Sequence, residues 1–178
     1  MISEHVFDHI SVFKTKNQII DGVKFLIHSF GLENDNLTEF AFRDDEKPNY
    51  IVLTTEGEIG EPQLLRFPRN ILNFDLSLIL VLIAHEMLHV RQKTQYPFVM
   101  DKNEREWQAY CEMLFHTHFP QIPDAPDFNQ KQFCEKALEY YKRMGEGSEL
   151  QQKYADEKTL VEKKLLDLSA VPSYIPKP

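Results

Sequence analysis

His85-Glu86-Met87-Leu88-His89 sets two imidazoles and a carboxylate in the order H-E-x-x-H. On a helix, residues four apart stand one turn above each other on the same face, because the repeat is 3.6 residues. His85 and His89 can then reach one zinc ion. Glu86 can reach a water polarised by that ion and remove its proton. A catalytic zinc takes three protein ligands and keeps a fourth position open, so two histidines are an incomplete site. A third histidine in the extended pattern H-E-x-x-H-x-x-G-x-x-H is absent, because Gln92 stands at the glycine position and Gln95 at the histidine position. A glutamate on the following helix is the other source. Glu104 and Glu106 both stand near the start of that helix.

The motif needs a rigid helix beneath it. It closes a long apolar run that begins near Asp75, a good N-cap, and the helix is expected to extend to about Lys93. The first half is apolar nearly all round, which places it in the centre of the domain. Upstream, Ile19, Ile20, Val23, Leu26 and Ile27 form a helical stripe over residues 16–30, stopped by Gly31. Residues 7–13 fit a short helix or a strand. Three strands follow, at 38–43 (Phe40 and Phe42 on one face), 50–55 and 63–67. Gly57, Gly60 and Pro62 make a hairpin of the second and third. Downstream of the motif, residues 96–103 read as a loop. A helix over 104–115 follows, with Trp107, Tyr110, Cys111 and Leu114 as its apolar face. Two more helices, 129–144 and 149–166, are split by Gly145 and Gly147. The last carries only a thin stripe of Leu160, Val161 and Leu165 and is expected to pack across the outside.

The stretch from His85 to Tyr110 resembles the gluzincin branch of zinc metallopeptidases, in particular small proteins with H-E-x-x-H-x-x-Q followed by E-x-x-A-Y. The matching residues are His85, Glu86, His89, Gln92, Glu106, Ala109 and Tyr110. The resemblance implies His85, His89 and Glu106 as ligands of Zn2+. It implies Glu86 as the catalytic general base and then general acid in peptide-bond hydrolysis. It also implies a zincin-like α+β fold, in which a small, mostly antiparallel sheet packs on the H-E-x-x-H helix. Further helices at the C-terminus close the other side. The small Ala109 would let the glutamate helix approach closely. Larger gluzincins often carry an aspartate four residues after the ligand glutamate, where it buttresses a histidine. Position 110 is Tyr, so that support must come from another side chain or a backbone carbonyl.

Other residues have competing roles. Glu106 shares a helix face with Tyr110 and Met113, whereas Glu104 aligns with Trp107, Gln108 and Cys111. Tyr110, Tyr96 and His116 are the candidates for stabilising an oxyanion. Gln92 suits a supporting role. His116 and His118 are expected to be surface histidines, since their spacing sets them on different sides of a helix. A peptide is expected to add as a strand to the sheet, with residues 63–67 as the edge.

The 178 residues point to one domain over 1–170 with a Pro-rich tail at 171–178. The net charge of −8 argues against nucleic acid as a partner. A peptide or protein substrate is what the gluzincin resemblance implies. The longest apolar stretch, residues 78–84, is too short to span a membrane. The N-terminus has no signal-peptide pattern, which leads to a cytoplasmic expectation. Cys111 and Cys134 make no disulfide framework. Two further readings stay open: a zincin-like binding or regulatory module with little or no turnover, and a metal-free helical interaction domain.

Overall fold

The computed structural model describes residues 2–169, so the Pro-rich tail at 171–178 lies outside the described residues. Among the described residues the fold is α+β, with seven α-helices and one three-stranded sheet. The order is α1 (Glu4–Thr15), α2 (Ile19–Ser29), β1 (Leu37–Arg43), β2 (Thr54–Glu56), β3 (Gln63–Pro68), a short 3-10 turn, α3 (Leu76–Thr94), α4 (Lys102–Phe115), α5 (Asp127–Arg143), α6 (Glu149–Lys153) and α7 (Ala155–Leu168). Residues 7–13, ambiguous in sequence, belong to α1. Gly31 ends α2 at φ 60°, and the backbone N–H groups of Gly31 and Leu32 return to His28 and Ile27, closing a Schellman-type cap.

The sheet is mixed, which corrects the expectation of a mostly antiparallel one. β1 runs parallel to β3 from Leu37 opposite Gln63 to Arg43 opposite Pro68. Only Thr54–Glu56 pairs antiparallel with β3, as the expected hairpin. The strand order is β1-β3-β2, so β3 is central and cannot be a free edge. Side-chain alternation encodes which face of a strand is buried, not its direction or its neighbour. β2 is also shorter than expected, because Tyr50 stands in an isolated bridge with Lys47 and is exposed.

α3 is the centre of the core. The Asp75 side chain caps it by accepting from the N–H groups of Ser77 and Leu78. Ile79, Leu80, Val81, Ile83 and Ala84 are buried, in contact with a core that includes Leu65 and Phe67 from β3 and Trp107, Ala109 and Met113 from α4. Among the described residues, no helix is long and apolar enough to cross a membrane. The last helical segment is two helices rather than one, broken at Tyr154. Val161 is buried on α7, while Leu160 is exposed and lies off the expected stripe.

Candidate metal centre

His85, Glu86 and His89 lie in the second half of α3 and are all buried. α4 crosses beside them, and Asp101 caps it by accepting from the Glu104 N–H. Ala109 is fully buried on α4, and its backbone meets the His85 ring. Glu106, one turn before Tyr110, faces the histidines. Its carboxylate oxygens lie 3.8 Å from His85 Nε2 and 3.7 Å from His89 Nε2. The two Nε2 atoms are 3.1 Å apart. Ligand atoms of His85, His89 and Glu106 all fall within 4.8 Å of one another. Among the described residues this is the one His/Cys/Asp/Glu group so arranged.

Hydrogen bonding at the outer ring nitrogens settles which atoms face inward. His89 Nδ1 is 2.8 Å from Gln92 Oε1. The Gln92 amide nitrogen donates to the carbonyl of Arg105 at 3.0 Å, and a carbonyl only accepts, so the Gln92 oxygen is what meets His89. His89 therefore donates from Nδ1. His85 Nδ1 lies 3.1 Å from Met113 Sδ, an acceptor only, so it too donates outward. Both Nε2 atoms then converge on the half-buried Glu106 carboxylate. The repulsion among these groups is relieved either by a proton on His89 Nε2 or by a cation standing among them. The donor set fits a divalent metal ion.

Burial, reinforced by His89, lowers the pKa of His85 to about 3. Burial opposes protonation of His89, but hydrogen bonding to Glu106 and the charges of Glu86 and Glu106 raise it overall. Burial likewise works against the Glu106 carboxylate, and the two histidines outweigh it and hold its pKa below the usual range. These shifts put a proton on His89, paired with the Glu106 carboxylate, beside a neutral His85.

Glu86 points toward the sheet. Thr55 Oγ1, from edge strand β2, donates to Glu86 Oε2 at 2.8 Å. Burial pushes the Glu86 pKa up, against the pull of His89 and the Thr55 hydroxyl. Lys93 Nζ fastens β2 from behind, donating to the carbonyls of Thr55 and Gly57 at 3.1 and 3.2 Å. Of the three oxyanion candidates, Tyr110 stands at the site, its ring 4.9 Å from that of His85 and stacked on Tyr140. Tyr96 is 88% exposed on the loop after α3. His116 caps the opposite end of α4, about 15 Å of helix from Glu106.

Glu104 faces away from the histidines. It is buried against Tyr154 and Lys153, each donating to Glu104 Oε1 at 2.7 Å. Thr55, Gln108 and Tyr154 were not singled out as site residues by the sequence. Thr55 and Tyr154 are brought in by non-local pairing, for which no local pattern exists. His118 is exposed as expected, while His116 is half-buried. Comparison with family models, curated proteins and solved structures finds no match.

Proposed function

We propose that this chain is a zinc-dependent peptidase of the zincin-like, gluzincin type. One observation carries the reading: the His85, His89 and Glu106 donors converge within 4.8 Å while Glu86, the residue after the first ligand, is buried beside them. Two imidazoles and one carboxylate form a ligand set that suits zinc. Zinc held there supplies Lewis acidity, polarising both a water and the substrate carbonyl. Glu86 takes the proton from the attacking water and gives it to the leaving amine nitrogen as the C–N bond breaks. Thr55 holds one oxygen of that carboxylate and leaves the other to turn to the water. Lys93 fixes the strand that carries Thr55. Tyr110, whose ring lies against His85, would donate toward the carbonyl oxygen as it gains charge.

The sheet edge nearest Glu86 is β2, and an extended peptide would add there. Slower hydrogen exchange at residues 54–56 on adding an uncleaved peptide is the expected result, and unchanged exchange counts against that binding mode.

Elemental mass spectrometry of tag-free protein tests the metal. About one zinc per chain is expected, lost in His85→Ala. An unstructured protein substrate should then be cut by the zinc-loaded protein alone. No zinc after reconstitution overturns the reading in favour of a metal-free interaction domain. Zinc without cleavage turns it toward a binding module.

A further inference from the structure

The hydrogen bonds around His89 do not stop at Gln92. The Gln92 amide nitrogen donates to Gln108 Oε1 at 2.8 Å as well as to Arg105. The Gln108 amide nitrogen donates to the Tyr154 hydroxyl at 2.6 Å. That hydroxyl donates to Glu104 Oε1 at 2.7 Å, and Lys153 Nζ reaches the same oxygen at 2.7 Å. The chain thus runs from the candidate metal site on α3, across α4, to the break between α6 and α7.

Its direction is fixed from the far end. A carboxylate only accepts, so the single Tyr154 proton goes to Glu104 and the hydroxyl lone pair faces Gln108. Gln108 must then present its amine to Tyr154 and its oxygen to Gln92. Gln92 in turn presents its oxygen to His89, which leaves His89 Nε2 pointing inward. Reversing any one link would set two donors or two acceptors against each other. Burial makes such a mismatch costly, and Glu104 and Tyr154 are each 8% exposed.

We propose that Tyr154 is a positioning residue for His89, acting through Gln108 and Gln92, and that helices α6 and α7 are therefore part of the metal site. The assignment of His89 as a metal ligand rests on the function proposed above; the hydrogen-bond coupling does not. The helix break supports it. The sequence pattern favours one continuous helix over 149–166, yet the chain departs from helical geometry at Tyr154, with φ −108° and ψ 18°. That is the one residue of the segment whose hydroxyl enters the chain. A tyrosine held only for packing needs its ring against Trp107, which is 6.2 Å away between centroids, but not its hydroxyl between a carboxylate and an amide. By linkage, metal at His89 and docking of α6 and α7 must strengthen each other.

The test uses the full chain and Tyr154→Phe, which keeps the ring and removes the hydroxyl. In metal-free protein, the His89 Nδ1–H gives a downfield NMR resonance whose exchange with water can be timed, whether or not Nε2 carries a proton. Exchange about five- to tenfold faster in Tyr154→Phe is expected, with the backbone amides of α3 unchanged. Zinc affinity, read against a chromophoric chelator, should fall by a similar factor. Glu104→Ala removes the fixed acceptor and should also speed the exchange. Unchanged His89 exchange in both variants overturns the proposal, even if zinc binds. Faster exchange in a protein that binds no zinc supports the coupling and overturns only the metal reading.

Discussion

The two ends of α4 each gather two histidines and a glutamate, but only one end turns their donor atoms toward one another in an arrangement that could hold a metal ion. At the N-terminal end Glu106 faces His85 and His89, and its oxygens approach both Nε2 atoms. At the C-terminal end Glu112 is buried, but its oxygens accept from the backbone N–H groups of His118 and Phe119, both at 2.9 Å. His118 Nδ1 adds a third contact at 3.1 Å, and His116 turns to Asp124 at 3.3 Å. His116 is itself in the left-handed region at φ 49°, ending the helix. The difference is geometric. Two histidines four apart on an unbroken helix present one face, whereas two histidines two apart at a helix end are parted by the turn. The carboxylate of a metal site must also keep an oxygen open to the ion, and both Glu112 oxygens are taken by backbone N–H groups. Glu106 is free of them. Glu112 serves as a loop anchor.

The sharpest way to break that contrast is through turnover. Glu86→Gln keeps the shape, the Thr55 contact and the three donor residues, but its amide cannot take a proton. Hydrolysis of a peptide substrate should fall by about 10²- to 10⁴-fold, the usual worth of a positioned general base, while zinc content stays the same. Equal turnover in wild type and Glu86→Gln would remove the enzyme reading and leave a binding module. A smaller effect is expected at Gln92. Gln92→Ala removes the group that orients His89, and partners of this kind are worth about 10- to 100-fold in metal affinity. Competition with a chelator measures it. An unchanged affinity would mean that His89 needs no orientation. The contrast between an arranged and an unarranged cluster would then lose its basis.

How much of this was legible in the sequence follows from which forces are local. The spacing of His85 and His89, the cap at Asp75 and the shared face of Glu106, Tyr110 and Met113 all follow from helical periodicity, and the structure keeps each. Gln92 could be named as a supporting residue because it lies three positions from His89 on the same helix. Thr55 could not, because its contact spans 31 residues and depends on β2 lying at the sheet edge. Nor could the parallel pairing of β1 with β3, since strand alternation does not record direction. The break at Tyr154 was hidden for the same reason. Its surroundings favour helix locally, and the competing interactions with Glu104 and Gln108 lie about 50 residues away in sequence.

The smallest expected effect lies at the other end of α4 and has a different character. Glu112→Gln exchanges one carboxylate oxygen for an NH₂ group. The two backbone N–H groups approach different oxygens, so either orientation of the amide sets a donor against a buried donor. A destabilisation of about 1–3 kcal/mol is expected, seen as a lower denaturant midpoint at unchanged slope. Zinc content and turnover should not move, because both Glu112 oxygens are engaged by backbone N–H groups and neither meets the three donors. Loss of zinc at wild-type stability would instead tie Glu112 to the metal site and erase the distinction between the two clusters. A loss of stability alone would show that the same residue types, two turns apart on one helix, divide into a chemical site and a structural anchor according to which donors reach the carboxylate first.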